Sequence, residues 1–491
     1  MQRVSLKWFF VSCILFKERC GCEMIMPEAV ERILEFEKGH KEFLLSAKCD
    51  DFHIYPLVRW QLYSALLQAL TSHQKPHGSS QHDTRWMITL MKVLISGFLR
   101  YNPFTIRSRD VLVFSNSALR RRIVNGKCYD VVYDPLLKSI SNSHILLENG
   151  FRGEHNNPVF TESRALSEPI LACSRFVKLH NKNSITESVD DFLRKLRMLT
   201  KSSFQLEVAG VDTRLVLHSL KRLVMMRKFL HKISPRIVFF HCGSYGGADA
   251  LLIRLCKEMG IATAEFQHGY VGKYHLAYNY ALKKDVYSFY LPDYFLTYGN
   301  YWSAQLGRYP NKKIVIGSPE MSFQLSEHQG IPTENQILIV SQGTFTSKFV
   351  ELTRDLRSRL PKRVRIVFRL HPGEVPFEER YSSLFEKDGI TVDKHSNIFD
   401  LIKSSCAVVG LYSTTLFEAS PFGKPIYVLK TPLSDAYIPQ ELGRRFSSAD
   451  ELADLILSNS VDHHDDNDWK YYWELDWEPR FKEFLSMIGL K

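Results

Sequence analysis

The sequence predicts an α/β protein of two doubly wound parallel-sheet domains facing across a cleft, preceded by a helical segment. Three observations carry this. The chain has 491 residues, more than one core of ordinary size organises. Short apolar runs alternate with helical stretches in two separate series, the pattern of parallel sheets covered on both faces. Between the series, Gly317-Ser318-Pro319 ends a strand and polar residues follow to Asn335.

The elements follow in order. Residues 27–105 read mainly as helix, with apolar residues three and four apart over 60–67. The run 86–99 reads as a helix packed on the domain core, a membrane-surface helix being the alternative. From Asp110 the pattern changes to strands at 110–114, 131–133, 145–147, 237–240, 262–266, 294–297 and 313–316. Helices are expected over 213–233 and 248–259. The second series places strands at 337–340, 364–368, 407–411 and 426–429. The domains are therefore residues 27–319 and 320–491, the latter including the C-terminal helices, with 1–26 as an apolar extension.

That extension is apolar over 8–16 between basic residues and lacks a small-residue cleavage site. It is too short to span a bilayer, and Met24 or Met26 is an alternative start. Nine cysteines, without metal-ligand spacing apart from Cys20-Gly-Cys22, suit reduced thiols and a cytoplasmic location. The acidic, His-bearing run from Asp462 to Asp468 reads as a solvated loop.

A net charge of +11 selects anionic partners: nucleic acid, anionic membrane or phosphate-rich substrates. No nucleic-acid-binding motif accompanies it, so no nucleic-acid partner is expected. The densest basic cluster, Arg120-Arg121-Arg122, reads as solvated surface. Attraction to anionic lipid or a polyanionic acceptor is its functional alternative.

Chemistry-bearing residues gather where strands end. In Phe368-Arg369-Leu370-His371-Pro372-Gly373-Glu374 the proline keeps His371 out of helical geometry. An imidazole held there can hydrogen-bond a phosphate or protonate a departing one. In Leu411-Tyr412-Ser413-Thr414-Thr415-Leu416-Phe417-Glu418 a strand opens a helix, whose N-terminal hydroxyls and N–H groups suit a phosphate. Thr415 and Glu418 fit a capping box, and Glu418 is alternatively an acceptor for ribose hydroxyls. In the first domain, Glu265-Phe266-Gln267-His268-Gly269 ends a strand, the glycine permitting a sharp turn that exposes His268. His241-Cys242-Gly243-Ser244-Tyr245-Gly246-Gly247-Ala248-Asp249 does likewise, its glycines allowing close approach of substrate.

These residues carry a family resemblance, concentrated between 237 and 430. The second half is similar to the nucleotide-binding domain of GT-B glycosyltransferases of bacterial capsule and lipopolysaccharide synthesis. His371-Pro372 and Ser413-Thr414-Thr415 resemble the His-Pro and Ser/Thr motifs of bacterial sialyltransferases. Together with His268-Gly269 they also resemble teichoic-acid glycerophosphotransferases that use CDP-glycerol. The acidic motif supplying the sialyltransferase base is not found, nor is the longer teichoic-acid pattern after His268-Gly269.

The resemblance implies a GT-B-like fold and a transferase using a nucleotide-activated sugar donor, with a cytidine-linked one preferred. The acceptor would be a glycan or a lipid-linked molecule. His371, Pro372, Ser413, Thr414, Thr415 and Glu418 would hold the nucleotide and its phosphate, with neither metal nor cofactor. His268 is the first choice as base, with Asp249 behind it. A CDP-polyol phosphotransferase, a nucleotide-sugar epimerase of the same fold and a non-catalytic nucleotide-sugar-binding subunit are the alternatives. The protein would be cytoplasmic, with peripheral contact to the inner face of an anionic membrane.

Overall fold

The computed structural model describes residues 25–49, 51–71, 84–150, 153–205, 212–282, 284–327, 332–343, 345–385, 388–458 and 468–490. The apolar run 8–16, Cys20, Cys22 and the acidic run up to Asn467 lie outside them. The architecture is α/β, with two doubly wound parallel sheets and a helical N-terminal segment. The chain forms two compact units, Glu28–Glu320 with Glu474–Lys491, and Met321–Trp473.

The first unit opens with α1 (Ile25–Leu44), α2 (Tyr55–Thr71) and α3 (Thr84–Leu99). Its sheet contains β1 (Val111–Asn116), β2 (His144–Asn149), β3 (Arg164–Leu166), β4 (Ile237–Phe240), β5 (Ala262–Phe266), β6 (Tyr294–Thr297) and β7 (Lys312–Val315). The order is β7-β6-β5-β4-β1-β2-β3, all parallel. Parallel pairing requires crossovers, and α4 (Glu168–Ser174), α5 (Lys182–Phe204), α6 (Thr213–Ile233) and α7 (Ala248–Glu258) supply those flanking β4. Central strands are buried on both faces, which explains the unbroken apolar run Ile237–Phe240.

The second unit's sheet contains β8 (Gln336–Val340), β9 (Arg365–Arg369), β10 (Ile390–Asp393), β11 (Ala407–Gly410), β12 (Ile426–Leu429) and β13 (Arg444–Phe446). Its order is β10-β9-β8-β11-β12-β13, again parallel throughout. Helix α8 (Thr346–Arg359) links β8 to β9, and α9 (Thr414–Ala419) links β11 to β12.

The last helix, α10 (Trp477–Met487), packs in the first unit, whereas the sequence pattern groups it with the second. Phe481, Phe484 and Leu485, spaced to share one helix face, join Val111, Leu146, Phe239, Ala264 and Leu296 in one core cluster. Where the chain returns, the Ser318 N–H donates to the Glu474 carbonyl at 3.0 Å and the Glu474 N–H to the Tyr298 carbonyl at 2.8 Å. Gly317 sits at φ +109°, and a Cβ there would lie 2.5 Å from the Glu474 oxygen. Only glycine fits that crossing.

Two local readings change. Residues 131–133 are not a strand: the Asp130 carboxylate accepts the N–H groups of Val132 and Tyr133, both at 2.9 Å, and turns the chain into a short helix from Tyr133. Arg120-Arg121-Arg122 is not a uniformly solvated cluster. It belongs to an antiparallel hairpin, Arg120–Val124 with Lys127–Asp130, turned at Asn125-Gly126. Period-two alternation buries Arg120, 2.6 Å from Glu148, while Arg121 is exposed and Arg122 meets Glu320 at 3.1 Å.

Glu148 is the centre of a buried polar cluster. It also meets Arg164 at 3.0 Å and His155 Nδ1 at 2.7 Å, and His155 Nε2 lies 3.0 Å from Glu168. Burial pulls the His155 pKa down, but hydrogen bonds and charge from Glu148 and Glu168 outweigh it and raise the value to about 9.

A second buried pair ties the helical segment to the sheet. Arg59 Nε donates to Glu37 Oε1 at 2.5 Å, and its other nitrogens to the carbonyls of Leu276 (2.8 Å) and Asn279 (2.5 Å). Glu37 also accepts the Tyr55 hydroxyl at 3.0 Å and the Ala281 N–H at 3.2 Å. The guanidinium lies 4.3 Å from the Tyr280 ring centroid.

Two predictions follow from these clusters. Because the folded state raises the His155 pKa, its stabilisation is complete below the unfolded value of about 6.5 and is lost as pH rises through about 9. Urea unfolding between pH 6 and pH 10 should therefore show the wild type losing up to roughly 3 kcal/mol more than His155→Gln. Equal pH profiles would refute the assignment. Removing one partner of a buried ion pair costs about 3–5 kcal/mol, so Arg59→Ala should lower stability by that order. Arg59→Lys should recover little, since an ammonium lacks the fork that reaches Glu37 and two carbonyls together.

Candidate functional site

In a doubly wound sheet, ligands enter the crevice outside the carboxyl ends of the strands where the strand order reverses. In the second unit the reversal lies between β8 and β11. The loops that follow β8, β9 and β11 begin at Ser341, Leu370 and Leu411, on three adjacent strands.

His371 and Pro372 are exposed in the loop after β9. The loop is a tight turn, the Glu374 N–H donating to the His371 carbonyl at 2.8 Å. Two side chains fix it from below. Ser341 Oγ accepts the His371 N–H at 2.9 Å and donates to Glu374 Oε2 at 2.5 Å. Glu374 is 3% exposed and also takes the Tyr381 hydroxyl. The His371 ring accepts the Gly373 N–H on Nδ1 at 3.1 Å, so a neutral ring carries its proton on Nε2. That is the tautomer a phosphate acceptor needs. Ser341 and Glu374 thus position His371, a role the sequence did not assign; a serine at a strand end and a glutamate three residues past a histidine were the available signals.

At the end of β11, Ser413 is the N-cap of α9, its Oγ accepting the Thr415 N–H at 3.2 Å. The capping box expected of Thr415 and Glu418 does not form, because the N-cap is Ser413, two positions earlier, and the Thr415 side chain is turned inward, 7% exposed. Ser413 and Thr414 are half-buried at the helix mouth, and Glu418 is half-buried further along it. Thr415 is thereby a packing residue, and Ser413 and Thr414 are the hydroxyls placed beside the reversal point.

In the first unit the order reverses between β1 and β4. The loop after β4 brings His241, Cys242 and Ser244; the loop after β5 brings His268. The His241 and His268 ring centroids are 4.7 Å apart, and Cys242 Sγ lies 3.3 Å from His268 Nε2. Burial, followed by the charge of Arg121, pushes the His268 pKa down to about 4, while the Phe266 carbonyl opposes the fall. Burial, with His268 and Arg121, also depresses His241. The Cys242 thiol is raised, first by burial and then by Glu265 and Asp249, so it keeps its proton beside His268. Burial carries Glu265 up to about 8, against the hydrogen bonds from the Ser244 N–H (2.7 Å) and Oγ (2.6 Å).

Asp249 lies in the first turn of α7, 3.9 Å from Arg222. Burial raises its pKa and Arg222 lowers it. It therefore belongs to the same neighbourhood as Cys242 and Glu265, whose protons its charge helps to retain. The glycines have other work than the sequence implied. Gly246 approaches the chain's own Pro56 carbonyl, 2.8 Å from where a Cβ would stand. The turn at His268-Gly269 is held by buried Gln267, which donates to the Gly269 carbonyl at 2.8 Å and accepts the Tyr298 N–H at 3.0 Å.

Among the described residues, His241, Cys242 and His268 are the group able to meet a metal ion, their ligand atoms lying within 4.8 Å of one another. A tetrahedral zinc site, with bonds of about 2.0–2.3 Å, sets its ligand atoms roughly 3.3–3.6 Å apart. The widest gap would have to close first, and as placed the Cys242–His268 contact is a thiol–imidazole hydrogen bond.

No protein-family model matches the chain, and no curated protein matches its sequence. Among solved structures, it is similar to the UDP-GlcNAc 2-epimerase of Methanocaldococcus jannaschii, with 12% identity and a TM-score of 0.46 over 77% of this chain and 99% of that one. A variant of the wall teichoic acid polymerase TagF gives 10% identity and 0.43, covering 83% and 98%. Anabaena HepE, in complex with UDP and glucose, gives 11% and 0.42, covering 77% and 99%. At these levels no residue role passes from those proteins to this chain.

Proposed function

We propose that the chain is a glycosyltransferase, moving a sugar from a nucleotide-activated donor, cytidine-linked for preference, to a surface-polysaccharide or lipid-linked acceptor in the cytoplasm. The observation that carries this reading is that His371, Ser413 and Thr414 follow β9 and β11, the strands on either side of β8 at the strand-order reversal of the second sheet. That crevice supplies a proton on His371 Nε2 and two hydroxyls, a donor set for a leaving phosphate without a metal. Ser341 and Glu374 hold the histidine's backbone, so little reorganisation accompanies binding.

The first unit supplies the acceptor side. At neutral pH the His268 ring is unprotonated, the state a general base needs, and Nε2 is the atom that would receive the acceptor's proton once Cys242 yields it. A ring this weakly basic needs its surroundings to favour the imidazolium as transfer proceeds. Asp249, which acts on the neighbouring Cys242 and Glu265, is the second candidate for base.

Thermal shift of the full chain with CMP, CDP, UDP, GDP and dTDP tests the donor site. A nucleotide at about 100 times its Kd stabilises the fold by about 2.7 kcal/mol, and the correct one should stand out. His371→Ala, at an exposed position, should fold normally, weaken that nucleotide and slow transfer. His268→Ala should leave nucleotide affinity near normal and slow transfer by roughly 10²–10⁴-fold. Unchanged affinity and rate in folded His371→Ala would overturn the proposal. Conversion of the donor with no acceptor present would assign the chain to the epimerases.

A further inference from the structure

We infer that α3 and the turn after α4 form a docking surface for an anionic lipid bilayer. Helix α3 was expected to pack on the core, and one face does: Gly97 is buried so closely against α4 that a Cβ would stand 2.8 Å from the Pro169 ring. The other face is bare. Met91, Ile95, Phe98 and Leu99 follow helical spacing and are exposed, Leu99 by 82%. Across the Gly97–Pro169 contact, Leu171 is also exposed, and Phe176 is 87% exposed in the turn that follows α4. Single exposed apolar residues are ordinary, but six on two touching elements mark a surface with a partner.

Charge identifies the partner. Residues 84–109 contain no Asp or Glu and carry Arg85, Lys92, Arg100, Arg107 and Arg109. Residues 169–186 likewise lack acids and carry Arg175, Lys178 and Lys182. Nearby carboxylates are already engaged, Glu168 with His155 and Glu162 with Lys127. Apolar side chains bordered by cations of one sign match a membrane surface, where the apolar groups enter the head-group boundary and the cations meet anionic lipid. A second copy would set like charges against each other, the exposed Lys92, Arg100, Arg175 and Lys178 among them. No helix among the described residues is long and apolar enough to cross a membrane, so α3 lies along the surface.

This surface stands apart from the nucleotide reading, and one set of samples keeps the two separable. The full chain is sedimented with vesicles of phosphatidylcholine containing about one third phosphatidylglycerol, and with phosphatidylcholine alone, at low and high salt. The wild type should bind the anionic vesicles, at least roughly tenfold more weakly without the anionic lipid or in high salt. Ile95→Asp with Phe176→Asp should reduce binding roughly tenfold or more, with Tm and nucleotide-induced shift unchanged. Arg100→Gln with Arg175→Gln and Lys178→Gln should remove the preference for anionic lipid. If the aspartate pair unfolds the protein, Phe176→Ser alone, at an exposed side chain, should still weaken binding. Absence of wild-type binding, or full binding by these variants, would overturn the proposal. So would a concentration-dependent dimer that Ile95→Asp breaks without any vesicle binding, which would give the face to a second copy.

Discussion

The Arg59–Glu37 pair is the constraint on which the first unit's site depends. The connection from β5 to β6 carries His268, His275 and Tyr278 without a strand to brace it, and its carbonyls at Leu276 and Asn279 end on the Arg59 guanidinium. Glu37 completes the arrangement by balancing the charge and accepting the Ala281 N–H. Neither ion is stable in the interior without the other, so α1, α2 and this connection must assemble together. The helical segment is therefore not an appendage to the sheet. It braces the loop after β5 through Arg59 and the loop after β4 through the Pro56 carbonyl, which receives the Gly247 N–H at 3.2 Å.

One consequence is electrostatic. Bracing packs the crevice tightly enough that burial drives its titratable groups toward neutrality: His241, His268 and His275 downward, Glu265 and Cys242 upward. Arg121, from the neighbouring hairpin, is the formal charge that His241 and His268 both sense. Such a site is rich in neutral donors and acceptors and poor in ions, which suits a hydroxyl-bearing acceptor better than a phosphate. The second unit's crevice has the opposite character, with an exposed imidazole and hydroxyls at a helix mouth. This contrast is the physical basis of the proposal that the second unit takes the donor and the first the acceptor.

The central strands were legible because burial on both faces leaves an unbroken apolar run, as in Ile237–Phe240 and Ala407–Gly410. Arg164–Leu166 and Arg444–Phe446 were not, since three residues carrying arginine at a sheet edge give no periodic signal. The hairpin at Asn125-Gly126 did carry a signal, hidden by a triple-arginine run that looks like plain surface. What buries Arg120 is Glu148, distant in sequence, and no local window reports such a partner. The same limit applies to the site. His371, Ser413 and His268 announced themselves by residue type at strand ends, whereas Ser341, Glu374 and Gln267 matter through hydrogen bonds that only the fold brings together.

The net charge of +11 can now be located. The two acid-free segments on α3 and around the end of α4 carry eight cations, most of the imbalance in the whole chain. Elsewhere acidic and basic residues nearly cancel, and in the first unit's interior Arg59 meets Glu37 while Glu148 meets both Arg120 and Arg164. A basic balance spread over the surface would steer any polyanion from a distance and would be screened beyond about 8 Å at physiological salt. A balance concentrated beside exposed Met91, Ile95, Leu99 and Phe176 acts at contact instead, where apolar insertion and charge add. The composition therefore records a local surface on α3 and around the end of α4, distinct from the buried titratable groups around His241 and His268 in the same unit.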